Sequence, residues 1–375
     1  MDKVLDHTQG QVEPVIELSR EFVECESPSD DLAALARMRD LLADRLSDMA
    51  RVKKTRGGHL LAEMRLPGRR KEGQILVIGH FDTVWPVGTL RNMPWRRDGG
   101  RLWGPGVLDM KGGIAFFLTA ARALRELDLA VARKVVFLVT RDEETGSATS
   151  RELIEQQAKA SSAVLVLEPG TGLQGKLKTA RKGIGLYELQ VRGKAAHAGV
   201  DPQNGASAIV ELARQIDRIA GWTDYGRGTT LNPGVIAGGT RPNVIASEAS
   251  AKIDFRVVKL RDAAVIDRRL RALKPFDQRC TIAVTGGLMK PPMERSREIV
   301  RLFRLAQKLA RELGVEVDES MTGGGSDGNL TAALGVPTLD GLGAVGEGAH
   351  ALNESVLIDR IADRTALLAK LVAAL

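Results

Sequence analysis

Cysteine is nearly absent from this chain, with only Cys25 and Cys280 among 375 residues. A disulfide framework and a thiolate metal site both need more, so neither is supported. Aromatic side chains make up 4% of the sequence, too few for a platform that stacks nucleic-acid bases. The formal net charge is +7, but the Lys and Arg residues are dispersed and no nucleic-acid motif accompanies them. The excess reads as a solvated basic surface that also steers acidic substrates. Long apolar runs are missing too. The apolar stretch at residues 114–121 stops at Arg122, well short of the roughly 20 residues a membrane span needs. The opening Met1-Asp-Lys-Val-Leu-Asp is polar, without the basic and then apolar pattern of a secretory signal. The expectation is a cytoplasmic protein with neither nucleic acid nor membrane as a partner. Hydrophobic residues at 43% and charged residues at 27% otherwise describe an ordinary globular chain.

Histidine is scarce as well, at five residues, and two of the five sit in chemically suggestive places. His80, Asp109, Glu144, Glu168 and His350 form a set of potential metal ligands, with carboxylates to spare at Asp82 and Glu143. Two divalent ions roughly 3.5–4 Å apart need such a set: imidazoles and carboxylates from several segments, one carboxylate to bridge, and one left over to move protons. The apolar run Gln74-Ile-Leu-Val-Ile-Gly79 reads as a buried strand with His80 at its carboxyl end. Residues i and i+2 of an extended segment share a side, so Asp82 is placed to fix the His80 ring. A second strand, at residues 134–140, ends in Asp142-Glu143-Glu144, and a third, at 163–167, ends at Glu168. Substrate sites of open α/β sheets lie at such strand ends. Asp109 precedes an apolar helix at 114–127, where an isolated Asp would be a helix cap. Adjacent acids such as Glu143-Glu144 are ordinarily a solvated turn. Taken together in one layer, these residues describe a metal site instead.

The chain is too long for one ordinary domain. Strand and helix patterns alternate up to about Lys178, as in a parallel sheet with crossover helices. A different order follows: a strand at 185–192, a helix at 206–219, strands at 229–237 and 249–257, a helix at 261–273 and a strand at 280–284. That is βαββαβ, an inserted two-layer unit. A helix at 295–313, the segment 336–339 and a final helix from Ile358 then resume the first pattern. The expected domains are 1–180 with 291–375, and 181–290 between them.

Five motifs occur in order: Gly79-His-Phe-Asp-Thr-Val84, Gly104-Pro-Gly-Val-Leu-Asp-Met-Lys-Gly-Gly113, Asp142-Glu-Glu-Thr-Gly-Ser147, Gly193-Lys-Ala-Ala-His-Ala-Gly199 and Thr322-Gly-Gly-Gly-Ser-Asp327. On these the chain resembles the di-zinc aminoacylase and carboxypeptidase family, and within it the glutamate carboxypeptidases. The resemblance implies an α/β zinc-exopeptidase-like catalytic domain with a mixed, mostly parallel sheet, and a ferredoxin-like βαββαβ domain that serves as a dimerisation lid. It implies two Zn²⁺ per chain, or Co²⁺ or Mn²⁺ in their place. One ion is held by His80, Asp109 and Glu168, the other by Asp109, Glu144 and His350, with Asp109 bridging and a cis peptide bond at Asp109-Met110. Met110 stands where the family often has Asp. Glu143 corresponds to the general base, Asp82 to the acid beside the ligands, and His197 to an oxyanion donor that reaches the partner subunit of a homodimer.

The implied reaction is hydrolysis of a peptide or N-acyl amino acid with a free carboxylate, releasing the C-terminal amino acid. A deacylase of the acetylornithine deacetylase or aminoacylase kind is the alternative. Asn243, Arg256, Lys290, Gly324 and Gly325 are the implied substrate contacts. Lys290 replaces an Arg of glutamate carboxypeptidases, which keeps the charge and loses the bidentate fork. Two readings from other classes remain at this level. Gly324-Gly-Ser-Asp-Gly328 matches the nucleophile motif of a serine hydrolase, with Ser326, Asp340 and His350 in triad order. A catalytically inactive binding module is the second, since a fold alone does not fix a function.

Overall fold

A computed structural model describes residues 2–68 and 72–375. The chain divides into two compact units. One comprises residues up to Ala180, Arg295–Thr322 and Ser326–Leu375, and the other Arg181–Glu294 with Gly323–Gly325.

The first unit is built on a six-stranded sheet. Its strands lie in the order Ala50–Lys54, Leu60–Met64, Lys134–Thr140, Gln74–His80, Ala163–Val166 and Thr338–Leu339. The last four run parallel, while the hairpin 50–64 joins antiparallel. The sheet is therefore mixed and mostly parallel. Every residue of Gln74–His80 is buried, and the period-2 alternation of a strand divides them between two cores. Ile75 and Val77 join the larger one, with Phe117, Phe137 and Leu368. Leu76 and Ile78 join the smaller one, with Ile154, Ala158 and Leu330. Helices thus cover both faces, as a parallel sheet requires. No helix among the described residues is long and apolar enough to cross a membrane.

Three parallel strands end together. His80 is level with Thr140, and Ile78 with Val166, which brings the segments after them, 141–144 and 167–168, to one edge. A smaller sheet, Gly346–Glu347, Ser355–Leu357, Arg101–Trp103 and Arg96–Asp98, turns the segment between Glu347 and Ser355 into a hairpin loop. His350 sits in that loop with φ of 62°, a left-handed conformation uncommon for a side chain with a Cβ.

The second unit runs strand Gly183–Arg192, helix Ala208–Ala220, strands Thr230–Gly238 and Glu248–Val257, helix Leu260–Arg271 and strand Thr281–Lys290. Its antiparallel sheet has the order 230–238, 248–257, 183–192, 281–290, the arrangement of a ferredoxin-like fold. Burial alternates along Gly183–Arg192. Ala208, Leu212, Gln215 and Ile219 give the first helix a buried stripe at helical spacing. Both helices pack on the same apolar core as Tyr187, Leu189, Ile253 and Phe255. Thr230–Gly238 is an outer strand with few buried positions.

The final strand is longer than its pattern implies. Gly286-Gly287 and Pro291 read as punctuation after Val284, yet the ladder continues through Gly286 and Gly287, whose φ values are 91° and 159°, to Lys290. Glycine alone takes those angles without strain, so the strand bends there instead of ending.

Candidate metal centre

His80, Asp109 and Glu168 converge in the first unit, and so do Asp109, Glu144 and His350. His80 Nε2 lies 3.1 Å from Asp109 Oδ1 and 3.6 Å from Glu168 Oε1. His350 Nε2 lies 3.3 Å from Asp109 Oδ2 and 3.2 Å from Glu144 Oε1. Asp109 therefore offers one oxygen to each group. The peptide bond Asp109-Met110 is cis.

The donor set fits two divalent cations. Ligand bonds of roughly 2.0–2.2 Å in tetrahedral geometry give edges of about 3.3–3.6 Å between donor atoms, and the four separations, from 3.1 to 3.6 Å, lie in or just below that range. Charge agrees with this fit. Burial opposes protonation of His80, but the carboxylates of Asp109, Asp82 and Glu168 outweigh it and hold the ring well above the usual imidazole range. Hydrogen bonds to Asp109 and Glu144 push His350 up to about 10. Burial acts to raise Asp109, yet His350 and His80 hold it well below the usual carboxylate range. Burial raises Glu144. The carboxylates thus demand positive charge at the two imidazoles, and a cation supplies it once the rings are neutral.

Asp82 organises the region from a fully buried position. Its backbone carbonyl lies 3.0 Å from His80 Nδ1, closer than its carboxylate at 3.4 Å. The main chain is the nearer acceptor for the ring N–H and sets the tautomer that points Nε2 at Asp109 and Glu168. The carboxylate has other partners. It accepts the backbone N–H of Glu143 and of Glu144, each at 3.2 Å, and the Ser29 hydroxyl at 2.7 Å. Glu143 belongs to neither ligand group and is partly exposed.

The Ser326 hydroxyl is engaged structurally. It is buried, caps the helix Asp327–Ala333, and donates to Asp340 Oδ2 at 2.7 Å. The triad reading needs a histidine between them, but the His350 ring is on Asp109 and Glu144. Glu354, which the sequence did not single out, is fully buried beside the Asp109 loop. Burial pushes its carboxyl up to about 6 despite four N–H donors.

The remaining candidates lie in the second unit, in two groups. Ile184 pairs with both Arg256 and Lys290. Beside them, Arg181 donates to the carbonyls of Gly324 at 3.3 Å and Gly325 at 3.0 Å, and Arg256 to that of Gly323 at 3.2 Å. Lys290 is buried. The fork of Arg256 is closed on Asp254, Nε to Oδ1 at 2.9 Å and Nη2 to Oδ2 at 3.0 Å, so a carboxylate bound there would have to displace Asp254. The other group is His197 with Asn243. Past Arg192, which opposes Glu248, the same two segments stay paired through Gly193 to Ser247, Ile245 to Ala196 and Ala198 to Asn243. From Ile184 to Arg192 an extended chain covers about 26 Å. The exposed His197 ring accepts the N–H groups of Gly199 and Val200 at Nδ1, both at 3.2 Å, which leaves its proton on Nε2.

Comparison with known proteins agrees with this geometry. The model for peptidase family M20/M25/M40 matches residues 76–374. Carboxypeptidase G2 of Pseudomonas sp. strain RS-16 is 29% identical over 382 residues, spanning 99% of this chain and 92% of that protein. Aminopeptidase PepT of Bacillus cereus ATCC 10987 aligns with a TM-score of 0.78 at 22% identity, over 96% of this chain and 98% of that one. The Bacillus subtilis YXEP protein, a dinuclear metal-binding peptidase from the M20 family, gives a TM-score of 0.75 at 15% identity, with 98% of each chain covered. The two structures share the fold and the sequence match gives the family: this chain belongs to peptidase family M20/M25/M40.

Proposed function

We propose that the chain is a di-zinc hydrolase that cleaves the amide bond of a peptide or N-acyl amino acid and releases its C-terminal amino acid, in the manner of a carboxypeptidase. The observation that carries this reading is the split of Asp109, one oxygen toward His80 and the other toward His350, with Glu143 left outside both groups. Two Zn²⁺ held there by His80, Asp109, Glu168, Glu144 and His350 would polarise the scissile carbonyl and make water acidic enough to attack near neutral pH. Glu143 takes the proton of the attacking water and returns it to the leaving nitrogen, so that the amine departs neutral. Its position is fixed through its backbone by Asp82. An oxyanion forms on the former carbonyl, and the Nε2–H of His197 is a donor of the right kind.

That donor acts on the site of a second copy. His197 and Asn243 lie near one end of the lid sheet and Lys290 and Arg256 at the other, about 26 Å or more apart. No small substrate touches both groups of one lid. Two copies of the chain bring opposite ends together if their lids join. The outer strand Thr230–Gly238 suits that contact, with Val235 56% and Ile236 60% exposed, since an unpaired apolar edge is a template for association.

Lys290 and the glycines at 323–325 are proposed to receive the substrate carboxylate. A lysine there favours a singly charged, less directional grip. This keeps an N-acyl-amino-acid deacylase as the second reading, with the same catalytic groups and a different acyl portion. An inactive binding module would have no use for an intact Glu143. The test is dialysis against a chelator, restoration with Zn²⁺ or Co²⁺, and assay on peptidyl and N-acyl amino acids that vary the C-terminal residue. Metal-dependent release of that residue supports the proposal. Hydrolysis that ignores the chelator overturns it, and bound metal with no turnover on any substrate supports the binding module.

A further inference from the structure

We propose that Glu354 is a positioning residue for the metal centre, holding the backbone of the Asp109 loop against the hairpin that carries His350 before any cation binds. The inference rests on the two-metal reading above.

Glu354 has no exposed surface, and its carboxylate is filled by four N–H donors. Oε1 accepts the backbone N–H of Leu108 at 2.9 Å and of Asp109 at 3.1 Å. Oε2 accepts the N–H of Gly106 at 2.9 Å and the indole N–H of Trp85 at 2.9 Å. Three of the four donors belong to the turn that delivers Asp109. Gly106 in that turn has φ of 74°, and a Cβ on it would meet Thr83 Cγ2 at 2.7 Å, so the turn is tightly defined. Glu354 is itself anchored: its N–H donates to Ala351 O at 2.9 Å, and the following Ser355 pairs with Trp103. It stands four positions after His350 and closes the same loop. One side chain thereby ties together the two segments that supply the bridging carboxylate and an imidazole.

The chemistry requires a carboxylate. Backbone and indole N–H groups only donate, so the three backbone donors and the Trp85 indole together need two oxygens. A glutamine offers one oxygen, and whichever way its amide turns, its NH₂ faces two other N–H groups. A mispointed turn then moves Asp109 relative to both imidazoles. Groups that orient ligands in this way typically account for about 10–100-fold in metal affinity.

The experiment titrates metal-free wild type and E354Q with Co²⁺, following the visible absorption of the ion and the heat of binding. Wild type is expected to bind two ions per chain. E354Q, native by circular dichroism, is expected to bind about 10–100-fold more weakly with an altered cobalt spectrum. A purely supporting role in the fold would lower the melting temperature and leave both readouts unchanged, and that result overturns the proposal. Should E354Q not fold, hydrogen exchange of metal-free wild type decides. The N–H groups of Gly106, Leu108 and Asp109 should then be as protected as those of Gln74–His80, whereas fast exchange that slows only on adding Co²⁺ rejects the inference. Fewer than two ions on wild type would count against the two-metal reading, and the exchange measurement would still judge Glu354.

Discussion

One oxygen of Asp82 accepts the backbone N–H of Glu143 at 3.2 Å, so the residue that orients the His80 ring also fixes the placement of the proposed base. Its second oxygen holds Glu144 through the same kind of bond. A single buried carboxylate thus holds the proposed base and a proposed ligand side by side through their backbone N–H groups. Asp82→Asn should separate these duties. The backbone carbonyl that orients His80 is unchanged, so metal content should persist. The turn loses one of its two acceptors, and kcat should fall by roughly 10–100-fold. Metal analysis and steady-state kinetics on one preparation check this; loss of metal together with activity would show that the carboxylate serves the ligands instead.

Glu143→Gln tests the base itself. Glutamine keeps the shape and cannot take a proton. The variant should retain two metal ions per chain and lose roughly 10²–10⁴-fold in kcat. Unchanged turnover would remove Glu143 from the mechanism.

How much of this was legible in the sequence follows from which interactions have a signature there. His80, Glu144 and Glu168 could be found because uninterrupted apolar runs mark buried strands and their ends carry the polar residue. Asp109 and His350 were found by residue type and motif, since their loops have no periodicity. Glu354 left no trace. Three of its four partners are backbone N–H groups some 245 positions away, and any residue except proline supplies such a donor. The three-residue strands at 96–98 and 101–103 are too short for a period to register. Ser326 shows the converse: glycines around a serine suggested a nucleophile, while the structure uses the hydroxyl as a helix cap.

Ser326→Ala therefore separates two mechanisms. Removing the cap should cost about 0.5–2 kcal/mol, seen as a melting temperature lower by a few degrees, with chelator-sensitive turnover retained. A serine hydrolase would lose all activity in this variant, and its wild type would react with a fluorophosphonate probe. Absence of labelling with full inhibition by chelator is the expected pair of results.

The division of the lid into two ends makes the last prediction the most exacting. With His197 acting in trans, a chain carrying His197→Ala still offers an intact metal centre, and a chain carrying Glu143→Gln still offers an intact His197. Each variant alone should be nearly inactive, His197→Ala through kcat more than through KM. Mixed and allowed to exchange, they should form heterodimers in which one of two sites is whole. The specific activity of the heterodimer should then approach half that of wild type. If His197 serves its own chain, every site in the mixture is defective, because each contains one altered residue, and mixing restores nothing. Size-exclusion chromatography of the mixture is needed alongside, since exchange of chains must be shown before an absence of recovery counts against the trans arrangement.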